Sequence, residues 1–295
     1  MDRRIFLKNS ALATTAMLAP ISGFSDIWET KKLQQFGVQV YTVRNELGKD
    51  FSGTIKQVAD IGYDYLELFN YNDGKIYDKS IEEIINILNT NNIKANSLHV
   101  LTGSQSPGKG VSMVNNWEKV VADAAEMDLD YLVCAYLVDS ERQTLDDYKK
   151  LADLFNTSAE VCKQYGIQFA YHNHAFEFEK MGNMVPYDIL LEQTDKDLVK
   201  MELDIYWIVK AGQDPIKYFM DHHGRFPLWH VKDMSKNEEQ YFTEVGQGRI
   251  DWQAIFQKTE LAGMKRFFVE QDTCRDNTPL ESLSISYKYL QQLEY

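Results

Sequence analysis

Residues 145–172 read LDDYKKLADLFNTSAEVCKQYGIQFAYH. Residues 145–165 are amphipathic, with an apolar stripe and a charged face, which predicts a helix. Gly166 follows, and glycine best takes the left-handed turn that closes a helix. Residues 167–172 are a short apolar and aromatic run, the pattern of a parallel strand buried on both faces. A helix, a glycine and a buried strand together make one unit of an α/β chain.

The unit recurs in both directions. Strands are predicted at 36–41, 63–68, 94–100, 131–135, 167–172, 199–204, 228–231 and 266–270. Helices are predicted at 54–61, 81–91, 117–127, 145–165, 186–193, 215–221, 252–261 and 279–292. Gly62 and Gly263 stand where Gly166 does. Asp214-Pro215 and Thr278-Pro279 put a capping side chain before a proline at the first helical position. Ser80-Ile81-Glu82-Glu83 and Thr278-Pro279-Leu280-Glu281 have capping-box spacing. Eight such units predict a closed (β/α)8 TIM barrel, a single α/β domain over residues 33–295. An open doubly wound sheet would often carry a glycine-rich phosphate loop after its first strand. Here that place holds Thr42-Val43-Arg44-Asn45-Glu46. No Walker motif or GxSxG elbow occurs.

The chain opens Asp2-Arg3-Arg4-Ile5-Phe6-Leu7-Lys8, and an apolar stretch runs from Ala11 to Ala19 before Pro20. A basic start and a short apolar segment predict an export signal over residues 1–25. The arginine pair resembles a twin-arginine signal, which implies a periplasmic or otherwise exported protein. The competing reading is an ordinary core helix. The stretch is short for a bilayer span, no cysteine follows it for a lipid anchor, and no later segment is apolar enough to cross a membrane. No stable membrane anchor is expected.

Lys and Arg number 31 against 44 Asp and Glu, a net charge of −13. Nucleic-acid affinity rests on cations that neutralise phosphates, so no nucleic-acid partner is expected. Cys134, Cys162 and Cys274 form no CxxC motif, and Cys134 reads as a small core residue.

In a barrel the C-terminal strand ends build the site. Strand 1 carries Gln39 and strand 2 carries Glu67. Strand 3 ends Ser97-Leu98-His99, strand 5 Tyr171-His172-Asn173-His174, and strand 6 Glu202-Leu203-Asp204. Strand 7 carries His230-Val231-Lys232-Asp233, and strand 8 ends Glu270-Gln271-Asp272. Buried charges without partners cost several kcal/mol, so this convergence points to a bound cation. Asp204, His230 and Glu270 come from consecutive strands. Oxygen and imidazole donors suit one divalent ion, Mn²⁺ first, with Mg²⁺, Co²⁺ or Zn²⁺ as alternatives.

Several pieces resemble, in order, the xylose isomerase-like barrel superfamily, the sugar phosphate isomerase/epimerase group. They are Gly37-Val38-Gln39-Val40-Tyr41, Ser97-Leu98-His99-Val100, Tyr171-His172-Asn173-His174-Ala175-Phe176-Glu177-Phe178, Asp204-Ile205-Tyr206-Trp207, His230-Val231-Lys232-Asp233, Gly246-Gln247-Gly248-Arg249-Ile250-Asp251-Trp252 and Val269-Glu270-Gln271-Asp272. The resemblance implies that Asp204, His230 and Glu270 are metal ligands. The family takes its fourth ligand, a glutamate, from strand 5. This chain has His172 there, while Glu177 could fold back, and both stay open. Gln39, Glu67, His99, His174 and Lys232 are the expected substrate-binding residues, and Glu270 and Glu177 the expected proton-moving ones.

The resemblance also implies proton abstraction beside a carbonyl, with a metal stabilising the enediolate. The expected function is a sugar isomerase or epimerase. Export points to an unphosphorylated keto-sugar. The alternatives are a lyase, dehydratase or hydrolase on 3-keto-glycosides, and a non-catalytic carbohydrate-binding protein. An apurinic endonuclease is disfavoured by charge. The expected partner is a small carbohydrate, and homo-oligomerisation is left open.

Overall fold

The structure is a computed structural model that describes residues 30–104, 108 and 110–295; the expected signal at 1–25 lies outside the described residues. Among the described residues, eight parallel strands close a barrel. They are β1 (Gly37–Gln39), β2 (Tyr65–Leu68), β3 (Lys94–Val100), β4 (Tyr131–Cys134), β5 (Gln168–His172), β6 (Val199–Asp204), β7 (Leu228–Val231) and β8 (Arg266–Val269). Each pairs with its neighbours in sequence, and β1 pairs with both β2 and β8, which leaves no free edge. Helices alternate with the strands, as the periodicity predicts. Among the described residues no helix is long and apolar enough to cross a membrane.

The punctuation holds. Gly62, Gly166 and Gly263 have φ of 119°, 76° and 78°. Ser80 and Thr278 close capping boxes with Glu83 and Glu281, and Asp214 accepts from the Ile216 amide.

Several bounds differ from expectation by a residue or two, and three differences have a visible local cause. Strand β1 stops at Gln39 because its side chain accepts from the Tyr41 amide and starts the 3₁₀ turn Val40–Val43. The first long helix begins at Phe51, because Asp50 accepts from the Gly53 amide. The segment expected at 252–261 divides into Trp252–Phe256 and Thr259–Ala262, where the Lys258 amide bonds to Ile255 three residues back.

Alternation along the strands sorts the core into layers. Outward side chains such as Leu66, Leu132, Phe169, Leu203, Trp229 and Phe267 pack beneath the helices. Cys134 belongs to this layer, fully buried as expected. Inward, Tyr65, Val133, Ala170, Leu228 and Phe268 form a separate apolar cluster, the barrel floor. Two residues further along the same strands come Glu67, His172, His230 and Glu270. On these four strands the inward row therefore runs from an apolar floor to a polar mouth, while on β4 Val133 is followed by Ala135.

The loop after β7 is tied down by Asp233. Its carboxylate accepts from the backbone amides of Met234 (2.7 Å), Gly246 (2.8 Å), Gly248 (3.2 Å) and Ile250 (3.2 Å), and from the Trp252 indole (3.0 Å). A Cβ at position 248 would collide with that carboxylate, so the glycine is required for the wrap. Asp233→Ala leaves these donors unpaired in the interior. It is expected to remove about 3 kcal/mol or more of unfolding free energy in urea titration. A loss under about 1 kcal/mol would show that the loop is held by something else.

Candidate metal centre

Above the floor sits a ring of four groups from four strands. Glu67 lies 2.9 Å from His99 Nε2 and 2.7 Å from His230 Nε2. Glu202 lies 2.8 Å from His99 Nε2 and 3.3 Å from His230 Nε2. Glu67 also accepts from Ser97 Oγ (2.6 Å) and Gln39 Nε2 (2.9 Å). Burial alone would raise its pKa, but the charge of His99 and the bond from His230 override it and hold the group well below the usual carboxylate range. Glu202 goes the other way, to about 7, pushed by burial and by the charge of Glu67. His99 rises to about 9, because the charge of Glu67 and the bond to Glu202 overcome burial.

One layer higher, towards the mouth, His172, Asp204, His230 and Glu270 each offer a ligand atom within 4.8 Å of the others. All four are buried. Asp204 divides its labour. Its Oδ1 accepts from the Trp207 amide at 2.9 Å and caps the helix Ile205–Lys210, while Oδ2 lies 3.4 Å from His172 Nε2 and 3.1 Å from Lys232 Nζ. Glu270 Oε2 lies 3.0 Å from His230 Nδ1 and 2.6 Å from Lys232 Nζ. Lys232 also reaches Asp272 at 3.0 Å.

The far nitrogens of both imidazoles are held. His172 Nδ1 faces the Ala135 carbonyl at 3.1 Å. A carbonyl only accepts, so Nδ1 carries the proton and Nε2 turns its lone pair towards Asp204. Burial, then the charge of His230, lowers the His172 pKa to about 4, which keeps the ring neutral. His230 Nε2 donates to Glu67, which leaves Nδ1 directed at Glu270 and Asp204. A metal-bound histidine is ordinarily oriented in this way by a carboxylate or carbonyl. Two imidazoles and two carboxylates, pre-oriented and dry, fit a divalent cation of the borderline class.

A cavity of about 680 Å³ opens onto this group and is lined by His99, His172, His174, Glu270 and Asp272, among others. Two buried polar atoms on its lining residues, His174 Nδ1 and Trp207 Nε1, have no hydrogen-bond partner in the protein. Of the residues expected to bind substrate, His99 and His174 face the cavity. Gln39, Glu67 and Lys232, each 0 % exposed, lie behind its surface.

Similarity to known proteins agrees with this fold. Residues 55–290 match the model of a family described as xylose isomerase-like TIM barrel. The chain belongs to that family. Two solved structures from Parabacteroides distasonis, each described as a sugar phosphate isomerase/epimerase, superpose on this barrel. One is 28 % identical with a TM-score of 0.77, covering 88 % of this chain and 99 % of that one. The other is 26 % identical with a TM-score of 0.76, covering 88 % and 93 %. A structure of the IOLI protein with a bound zinc atom shares the fold at a TM-score of 0.67 and 16 % identity, covering 86 % of this chain and 96 % of that one. The inosose dehydratase of Lacticaseibacillus casei is 27 % identical over 175 residues, 52 % of this chain and 56 % of that protein. The chain thus spans about half the length of the curated relatives it matches.

On this family's barrel, strand 5 brings His172 to the group of four, and Glu177 lies apart from it. Glu177 sits on the turn Phe176–Phe178, fully buried, where it accepts from the Tyr171 hydroxyl and, at 2.9 Å, from the His174 amide. It does not line the cavity. Two acidic residues went unassigned in the sequence reading. Glu202 stands two residues before Asp204 and Asp272 two after Glu270, and a period of two places each on its neighbour's face. That spacing was the available signal.

Burial raises the Glu177 pKa to about 7. A folded-state pKa above the unfolded value means full stability below the unfolded pKa, about 4.5, and loss as pH rises through about 7. Glu177→Gln stays neutral: its carbonyl can accept from the His174 amide while its amide group donates to the Tyr171 hydroxyl oxygen. Its stability relative to the parent should rise between pH 5 and pH 8 by roughly 2–3 kcal/mol, read from denaturation midpoints at each pH. A difference that does not change with pH refutes the assignment of a neutral Glu177.

Proposed function

We propose that this protein is a divalent-metal-dependent enzyme that moves a proton beside the carbonyl of an unphosphorylated keto-sugar and yields its isomer or epimer. The observation that carries the reading is the convergence of His172, Asp204, His230 and Glu270 on one point at the wall of a large cavity. A divalent ion held there, Mn²⁺ in the first instance, supplies Lewis acidity to a carbonyl and its neighbouring hydroxyl. Glu270 is the carboxylate that both belongs to the group and faces the cavity, so it is the residue that takes and returns the proton. His99 and His174 are placed to hold hydroxyl groups, and the unpaired His174 Nδ1 and Trp207 Nε1 offer two further polar contacts. Lys232 holds Asp204 and Glu270 in place. Among the described residues lining the cavity none is Lys or Arg, which supports a substrate without phosphate. Action outside the cytoplasm, after export, belongs to the same reading.

A second outcome of the same proton abstraction is elimination of a neighbouring substituent. The inosose dehydratases among the relatives favour keeping it in view.

Purified protein should hold close to one divalent ion per chain by elemental analysis, and Asp204→Ala should retain less than about a tenth of it at equal protein. Incubation with keto-sugars in D₂O should place deuterium on the carbon beside the carbonyl. Retention of every oxygen marks isomerisation or epimerisation, and loss of a substituent marks elimination. Equal metal in the parent and Asp204→Ala, together with no deuterium uptake across a broad panel, overturns the reading.

A further inference from the structure

The cavity above the group of four has two unlike halves. The ends of β5 and β8 and the residues after them supply His172, His174, Glu270 and Asp272. The segments after β1 to β4 supply Tyr41, Phe69, Leu101 and Tyr136, with Asn70 and Ser112 as polar exceptions, and Trp207 and Phe242 line the cavity from after β6 and β7. Seven large hydrophobic side chains are exposed among the described residues, and three of them belong to this second half: Tyr41 at 37 %, Leu101 at 50 % and Tyr136 at 37 %. Apolar side chains scattered singly need no explanation, but a cluster lining one wall of a cavity marks a binding surface.

The aromatic members are fixed in place. Tyr41 packs edge-on against Phe69 with centroids 5.1 Å apart, and Tyr136 packs edge-on against His174 at 5.0 Å. Rigid rings lose little entropy when a ligand covers them. The strand under this wall agrees. Strand β4 runs Tyr131-Leu132-Val133-Cys134 into Ala135-Tyr136, with no charged residue among them. The volume, about 680 Å³, is more than one sugar ring fills. It falls in the range of roughly 300–1,000 Å³ that takes a drug-sized ligand.

Resting on the reading that the polar half takes the keto-sugar, we propose that the substrate is a glycoside whose aglycone is a flat apolar or aromatic group seated against Tyr41, Phe69, Leu101 and Tyr136. The sugar ring lies at His99, His172 and His174, and the glycosidic bond points towards strands β1 to β4. Neither half suits a phosphate, since the polar half presents the carboxylates of Glu270 and Asp272 and the other half presents no Lys or Arg.

Equilibrium binding tests this without turnover. The probes are phenyl and methyl glycosides of glucose and galactose, both anomers, titrated into the metal-loaded full chain by calorimetry. At least one phenyl glycoside should bind about 10–100-fold more tightly than its methyl partner, the gain expected from covering one aromatic ring. In Leu101→Asp the phenyl-to-methyl ratio for that pair should fall about 5-fold or more. Leu101 is half exposed, and a thermal melt matching that of the parent confirms that the variant folds. Equal affinities within every pair overturn the proposal, as does a panel in which no glycoside binds. Metal retention and deuterium exchange do not depend on the aglycone. If they hold while the phenyl preference fails, only the substrate class is lost. If the preference holds while they fail, the protein binds aryl glycosides but does not carry out the proton transfer.

Discussion

Carboxylates at the mouth of a closed parallel barrel are cut off from water, so each must be neutralised by a group on another strand. Asp204 and Glu270 are 0 % and 6 % exposed, and both lean on the fully buried Lys232 and on His230. Burial would raise their pKa values, but the Lys232 ammonium and the imidazoles hold both well below the usual carboxylate range. The ammonium is itself held above its ordinary value by Asp204, Asp272 and Glu270, against the pull of burial. A dication arriving at Asp204 and Glu270 joins this balance, and Lys232 already has Asp272 as a further partner.

His230 joins the two polar layers. One ring nitrogen is engaged by Glu67 and Glu202 below, and the other faces Glu270 and Asp204 above. The lower ring of Glu67, His99 and Glu202 therefore sets the orientation of the upper group. Beneath both lies the buried apolar floor of Tyr65, Val133, Ala170, Leu228 and Phe268. The arrangement is stable only because the strands form a closed cylinder, which places side chains far apart in sequence within one hydrogen bond of each other.

Much of this is legible in residues alone. Parallel strands covered on both faces read as continuous apolar runs, and Gly62, Gly166 and Gly263 mark where each preceding helix stops. The polar ends of seven strands are visible for the same reason, since they interrupt apolar runs. What is hidden depends on side chains meeting in space. The early end of β1 follows from the Gln39 side chain folding onto the Tyr41 amide. The position of Glu177 follows from the turn at Phe176–Phe178, which hands its carboxylate to Tyr171, and nothing in the spacing distinguishes that outcome from a reach towards the upper group. Tyr136 and Leu101 follow apolar strands, and nothing in the sequence alone marks them as facing open space.

The division of the mouth bears on how such a protein diversifies. Tyr41, Phe69, Leu101 and Tyr136 stand on connections that contribute nothing to the charge balance around Lys232. Mutational drift in those side chains alters the shape and greasiness of one wall while the ion pairs of Lys232 with Asp204, Glu270 and Asp272 persist. Paralogues built on the same scaffold can thus part company over which molecules they accept long before they differ in what they do to them.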